Sequence, residues 1–120
     1  MNIKTTFTNI DASPAVEEYV FKKMSSLSKF IDHDEVLCEV ELGRTTNHHR
    51  AGDIYKAEIN ITYKGKQFYV VADKDDLYAA IDEMRDEIER VIVSYKKKSN
   101  TLIRRGASKI KNLVKRLYNK

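Results

Sequence analysis

The chain has 120 residues, with 22 Lys and Arg against 18 Asp and Glu, for a formal net charge of +4. Its hydrophobic content of 42% includes seven Tyr and four Phe, which is typical of one globular domain with a single core and excludes a wholly disordered chain. The lone cysteine, Cys38, excludes an internal disulfide, and no apolar run approaches the roughly 20 residues of a membrane span. The first residues also lack the apolar core of a signal peptide, so we expect a cytoplasmic protein.

The N-terminal part of the chain predicts a strand followed by a helix. Residues 2–8 alternate apolar and polar side chains, which predicts a strand. Pro14, the only proline, follows Ser13 and fits the first turn of a helix capped by that serine. The apolar stripe of this helix is Val16, Val20, Met24, Leu27 and Ile31.

From Glu35 onward the period of two predicts three further strands, and a helical period then returns. Val36, Cys38, Val40 and Leu42 share the apolar face of the first of these strands. The second strand extends from residue 55 to residue 63, and the tight turn at residues 64–66 connects it to the third. Beyond a cluster of aspartates, the predicted second helix has the stripe Leu77, Ile81, Met84, Ile88, Val91 and Tyr95.

The element order β-α-β-β-β-α predicts an α+β fold, a two-layer sandwich. The strand-helix-strand unit makes the first two strands parallel, and the last two add as an antiparallel meander. Each middle strand has one apolar face, so both helices should cover the same side of a four-stranded mixed sheet. We therefore predict an α+β domain over residues 1–98 and a basic tail over residues 99–120, which is either a third helix or an arm that folds on its partner.

The charge is strongly polarised along the chain. Ten of the last 25 residues are cations and none is acidic, whereas the first 95 residues carry 12 cations and all 18 carboxylates, a net charge of −6. A cationic block of this density binds polyanions by releasing counterions, so nucleic acid and an anionic membrane are candidate partners, and a merely solvated tail is the alternative. Further cations on the exposed sides of the two helices would flank one groove if the helices pack side by side: Lys22, Lys23, Lys29, Arg90, Lys96, Lys97 and Lys98.

Catalytic motifs are missing from the sequence. It contains no dinucleotide-binding glycine motif, no P-loop and no nucleophile elbow. His48 and His49, with Asp53 nearby, could ligate a metal or form a small hydrolytic site, but further ligands at recognisable spacing are lacking and Arg50 would repel a cation. We therefore expect no enzyme activity, no metal and no cofactor, and we expect Cys38 to be a core residue.

Several segments resemble the ribosome hibernation-promoting factors, a family that includes the ribosome-associated inhibitor A proteins and was once labelled sigma-54 modulation proteins. The resemblance covers roughly residues 1–98. It rests mainly on residues 76–82 (Asp-Leu-Tyr-Ala-Ala-Ile-Asp), followed by Glu89-Arg90 and by Tyr95 with three lysines. Residues 20–23, 27–30 and 48–59 also match. The chain resembles the short class of the family, without an appended dimerisation domain.

The resemblance implies a non-enzymatic protein that binds rRNA of the small ribosomal subunit near the decoding centre. There it would block messenger RNA and transfer RNA and silence translation under stress or in stationary phase. Off the ribosome the short class implies a monomer. Carried over to this chain, the rRNA-binding residues would be Lys22, Lys23, Lys29, Arg85, Arg90, Lys96, Lys97, Lys98, Arg104, Arg105 and Lys109.

Departures from the family pattern leave another function open. Relatives often carry cations where this chain has Glu17, Glu87, Val93 and Ser94. The predicted second helix therefore offers fewer cations for contact with rRNA, and Arg85 compensates for this in part. A two-layer α+β domain with a basic helix could instead recognise double-stranded RNA by its shape, as a generic module not specific to the ribosome.

Overall fold

The structure is a computed structural model that describes the backbone of residues 1–31, 35–46 and 52–104 and the side chains of residues 1–31, 35–45 and 52–98. The strands are β1 (Asn2–Thr8), β2 (Leu37–Thr46), β3 (Asp53–Tyr63) and β4 (Lys66–Lys74), and the helices are α1 (Pro14–Ser25) and α2 (Leu77–Arg104). A short 3-10 helix, Ser26–Lys29, continues α1. His33, His48, His49, Arg50, Arg105 and Lys109 lie outside the described residues, and of Arg104 only the backbone is described.

The predicted α+β sandwich is confirmed. The sheet has the order β1-β2-β3-β4. β1 is parallel to β2, whereas the β2–β3 and β3–β4 pairs are antiparallel. This is the four-stranded mixed sheet expected from a right-handed crossover followed by a meander.

Local sequence features fix where the elements begin and turn. Ser13 caps α1 by accepting a hydrogen bond from the N–H of Val16 at 3.4 Å, with Pro14 in the first turn. Asp76 does the same for α2, where its carboxylate accepts from the N–H of Ala79 at 2.9 Å. Lys64 and Gly65 both have positive φ, 50° and 74°, as a two-residue hairpin turn requires.

A single hydrophobic core lies between the sheet and the two helices. It joins the inward faces of β2, β3 and β4 to the stripes of α1 and α2, as predicted. Cys38 is fully buried in it, and burial raises the pKa of its thiol to about 12. The thiol therefore acts as a small apolar core group, as the sequence predicted.

The predicted apolar stripe of α2 is wrong at one position. Val91 is 37% exposed, whereas Ile92 is 1% exposed and belongs to the core. Each residue turns a helix by about 100°, so Ile92 lies within about 20° of Ile81 while Val91 lies about 80° away. α2 also continues through residue 98 to Arg104, so the backbone stays helical across the predicted boundary between domain and tail.

Candidate nucleic-acid interface

A polar seam joins α1 to α2 on the outer side of the helix layer. The hydroxyl of Tyr19 donates a hydrogen bond to the Asp82 carboxylate at 2.5 Å, and the Lys23 ammonium lies 3.2 Å from the same oxygen. The Tyr19 ring meets the Tyr78 ring edge-to-face with centroids 4.9 Å apart. Asp82 therefore anchors two side chains of α1 at once.

Asp82 also changes the proton affinity of both groups. Its hydrogen bond raises the pKa of Lys23 above the ordinary value, and it raises the pKa of Tyr19 in the same way. Both partners stay protonated over the whole physiological pH range, so the seam is a constant structural feature and not a pH switch.

Arg85 extends the seam toward the ends of the helices. Its Nε donates to the Ser26 hydroxyl at 3.0 Å, and its guanidinium pairs with Glu89 and, at 3.4 Å, with Asp86. Only 13% of the side chain is exposed. Arg85 was a candidate rRNA ligand in the sequence, but its guanidinium lies between the helices and its charge is already compensated.

The contacts of the seam establish that the two helices run parallel. Residues further along α1 contact residues further along α2, because Tyr19 meets Tyr78, Lys23 meets Asp82 and the following Ser26 meets Arg85. The C-terminal ends of α1 and α2 consequently lie at the same end of the molecule. Cations are favoured there by the negative ends of the helix dipoles.

The parallel packing brings the predicted cations of the two helices to one end of the domain, here called the basic end. Lys22 and Lys23 lie in the last turn of α1, and Lys29 ends the short 3-10 helix that follows. On α2, Lys96–Lys98 lie beyond the level of Lys29, because the pairing of the helices has a constant offset of 59 residues. Lys98 therefore lies about 15 Å, and Arg104 at the end of α2 about 24 Å, past the level of Lys29.

The cations at the basic end differ in their partners. Among the described residues, Lys22 and Lys98 make no ion pair in the structure, and Lys29 lies over the Phe30 ring at 5.2 Å. Lys23 is held by Asp82, and Arg90 pairs with Glu87 on its own helix, which raises the pKa of Arg90. Lys22, Lys29 and Lys98 are thus the side chains best able to meet a phosphate without first leaving a carboxylate.

Two further lysines lie at the basic end that the sequence did not single out. The ammonium of Lys64, in the β3–β4 turn, lies 5.3 Å from the centroid of the Tyr63 ring, and that of Lys96 lies 5.9 Å from the same ring. Lys66 completes the turn. A lysine on each side of Gly65 was the available signal, but only the packing of α2 on β4, where Tyr95 meets Phe68 at 5.3 Å, places this turn beside the helix.

Other kinds of site find little support in the described part of the chain. No group of three or more His, Cys, Asp or Glu side chains in residues 1–31, 35–45 and 52–98 is arranged to hold a metal ion. The pair His48 and His49 lies outside this part, and Asp53 lies 3.8 Å from Arg44. No described helix is long and apolar enough to cross a membrane.

A family model described as sigma 54 modulation protein / S30EA ribosomal protein matches residues 3–100. The chain belongs to this family. A member from Klebsiella oxytoca, a ribosome hibernation promoting factor, is 27% identical over 99 residues, which are 82% of this chain and 96% of the relative. The resemblance drawn from residues 76–98 is therefore confirmed.

Solved structures of similar proteins share the fold. The crystal structure of the N-terminal domain of Thermus thermophilus Protein Y matches with a TM-score of 0.66 and 28% identity, over 79% of this chain and 99% of that domain. A ribosomal subunit interface protein from Coxiella burnetii matches with a TM-score of 0.65 over 81% of this chain and 99% of that one, at 24% identity, and so supports the fold alone. The sandwich is thus a fold that this chain shares with both solved structures.

Proposed function

We propose that this protein is a ribosome hibernation factor that binds rRNA of the small ribosomal subunit near the decoding centre. Bound there, it occupies the space of messenger RNA and transfer RNA anticodons and silences translation under stress in the cytoplasm. It acts by occupying this space and not by catalysis, without metal or cofactor. Membership of the S30EA family supports this proposal, together with the name of the Klebsiella oxytoca relative.

The observation that carries the proposal is the parallel pairing of α1 and α2, which gathers their cationic ends at one end of a rigid domain. Cations on helices packed by a shared core hold phosphates in one register, so they define a site and do not merely attract RNA. Lys22, Lys29 and Lys98 are the first-choice phosphate ligands, and Lys96 and Lys97 lie beside Lys98 on α2. Arg104, Arg105 and Lys109 extend the same charge beyond the described side chains.

Lys23, Arg85 and Arg90 have a different part in the proposal. Each is paired with a carboxylate of α2, so its contribution to RNA binding includes the cost of weakening that pair. We infer that Lys23 and Arg85 chiefly fix the relative position of the helices. Arg90 is the most exposed of the three, at 62%, and can exchange Glu87 for a phosphate at the lowest cost.

A binding experiment with purified small subunits tests the proposal. The variant Lys22→Gln with Lys29→Gln removes two cations of the basic end, and Lys4→Gln with Lys56→Gln removes the same charge from the outer face of the sheet. We expect the first variant to bind more weakly, with the slope of log K against log salt reduced by about 0.7–0.9 per lost contact, and the second to bind like the wild type. Equal losses in both variants would refute an oriented site.

Two competition arms separate the ribosomal function from a generic double-stranded-RNA module. Subunits loaded with messenger RNA and transfer RNA should bind less protein than empty subunits, because the proposed sites overlap. Excess double-stranded RNA of unrelated sequence should leave binding to empty subunits unchanged. If that RNA displaces the protein while loading has no effect, the generic module is the correct function.

A further inference from the structure

The outer edge of β1 has backbone groups available for another strand. β1 lies at one end of the sheet, so only one of its edges pairs with β2. The N–H of Asn2 donates to the carbonyl of Val36 at 2.8 Å, which directs the backbone of Asn2 toward β2. Because this direction alternates along a strand, the N–H and C=O groups of Ile3, Thr5 and Phe7 point to the outer edge. Within the part of the chain that the structure describes, no strand lies there.

An exposed aromatic side chain lies on the same side of the molecule. Phe21 is 61% exposed, the highest value among the large hydrophobic side chains of the described residues. It lies two positions from both Tyr19 and Lys23, which face α2, so it points to the opposite side of α1. Since α2 covers β3 and β4, that side of α1 lies above the edge strand β1. Ile3 and Phe7, on the inner face of β1, are only partly buried there.

We propose that a second copy of this chain docks on this edge, with the two β1 strands antiparallel and centred on Thr5. In this register Ile3 lies opposite Phe7 of the second copy, Lys4 lies opposite its Thr6, and Thr5 lies opposite its counterpart. The outward-pointing groups of Ile3, Thr5 and Phe7 then form up to about six backbone hydrogen bonds. No like charges are placed opposite one another, and the apolar pair extends the inner face of the sheet.

The charges of α1 favour the same arrangement. The helix carries Glu17 in its first turn and Lys22 and Lys23 in its last turn. A two-fold axis through Thr5 makes the two α1 helices antiparallel, so the acidic end of one copy lies beside the basic end of the other. The basic ends of the two domains point in opposite directions and do not repel each other. Phe21 of each copy lies toward the shared axis, where it becomes covered.

The size of the contact makes this a weak association. One seven-residue strand and one aromatic side chain per copy bury less than the roughly 1,200 Å² of a stable complex. The chain is therefore a monomer when dilute, as expected for the short class, and pairs only at high concentration. α2 covers β3 and β4, remote from the edge at which the two β1 strands pair, and so remains accessible.

Sedimentation equilibrium between about 5 µM and about 1 mM tests the pairing, a range chosen for a weak complex. The wild-type mass should rise from 13.9 kDa toward twice that value. In Thr5→Pro the ring replaces an N–H that faces the outer edge, so no bond to β2 is lost and the strand tolerates the change. Phe21→Glu places a charge at the axis, and both variants should remain at the monomer mass at all concentrations.

Val93→Glu is the matched control, because Val93 is also an exposed apolar residue on a helix, 40% exposed, but lies on α2. It should associate like the wild type. Circular dichroism establishes that each variant is folded, and if Thr5→Pro is not, Phe21→Glu decides alone. A wild-type mass that stays at 13.9 kDa throughout, or association that persists in Phe21→Glu, would overturn the proposed pairing.

Discussion

The position where the sequence pattern and the structure disagree gives the sharpest test of how α2 packs. The regular stripe in the sequence includes Val91, whereas the structure buries Ile92 and leaves Val91 37% exposed. The two residues are neighbours with similar side chains, so truncating each to alanine compares two positions of one helix turn. We expect Ile92→Ala to destabilise the domain strongly and Val91→Ala to change it little.

The expected magnitudes follow from burial. Ile92→Ala removes three carbon atoms from a site that is 1% exposed, and at about 0.8 kcal/mol per carbon this is about 2.4 kcal/mol. The cavity left under α2 adds to this value, so the free energy of unfolding should fall by about 3–4 kcal/mol. At Val91 the lost contacts are few and alanine has the higher helix propensity, so the change should stay within about 0.5 kcal/mol.

Urea unfolding followed by the helical circular dichroism signal measures both values. The slope of the free energy against urea concentration should be equal in the two variants, which ensures that the difference reflects stability and not a changed unfolded state. Ile88→Ala, at a fully buried site of the same helix, serves as a positive control with an expected loss of about 2–5 kcal/mol. A loss for Val91→Ala equal to or greater than that for Ile92→Ala would refute the rotational setting of α2 described above.

Three further predictions concern the seam, the thiol and the tail. Because Asp82 raises the pKa of Tyr19 and Lys23, the folded state holds these protons more tightly than the unfolded state. Stability should therefore be full at neutral pH and fall as the pH rises above about 10, and the fall should be smaller in Asp82→Asn, as pH-dependent urea titrations would measure. Cys38, buried and with a pKa raised to about 12, should not react with a thiol reagent in the native protein but should react fully in urea; rapid native labelling would contradict its place in the core. Deleting residues 102–120 removes seven cations, so binding to small subunits should weaken and the salt slope become shallower by about 0.7–0.9 per lost phosphate contact. An unchanged slope would make the tail a solvated extension.

Local patterns in the sequence determined most of the fold. The period of two in residues 36–72 and the helical periods around it gave the element order, and Ser13 with Pro14 and the Lys64–Gly65 turn gave two of the boundaries. These features act through neighbouring backbone groups, so they can be read without knowing the tertiary structure. The rule for right-handed crossovers then left one arrangement of the sheet.

The candidate site was predicted as a set of residue types but not as a geometry. The sequence identified the lysines of both helices. It could not distinguish Lys22, which has no ion pair among the residues that the structure describes, from Lys23, which Asp82 holds at 3.2 Å. The positive charge of Arg85 made it a candidate rRNA ligand in the sequence. Only its contact with Ser26 showed that it joins the helices, and Glu89 on its own helix compensates its charge. Only the structure identified Lys64 and Lys66 as residues of the basic end, because it places α2 beside their turn.

The sequence predicted the secondary structure but not the ion pairs, because the two depend on interactions of different range along the chain. A cap, a hairpin turn or an amphipathic stripe depends on residues within about four positions of one another, and the sequence displays those spacings directly. The partner of a charged side chain depends on which helix faces pack together, because Asp82 and Lys23 are 59 residues apart and meet only across the assembled core. The sequence by itself predicted a basic C-terminal part suited to a polyanion, and the tertiary structure decided which of the described cations are held by carboxylates.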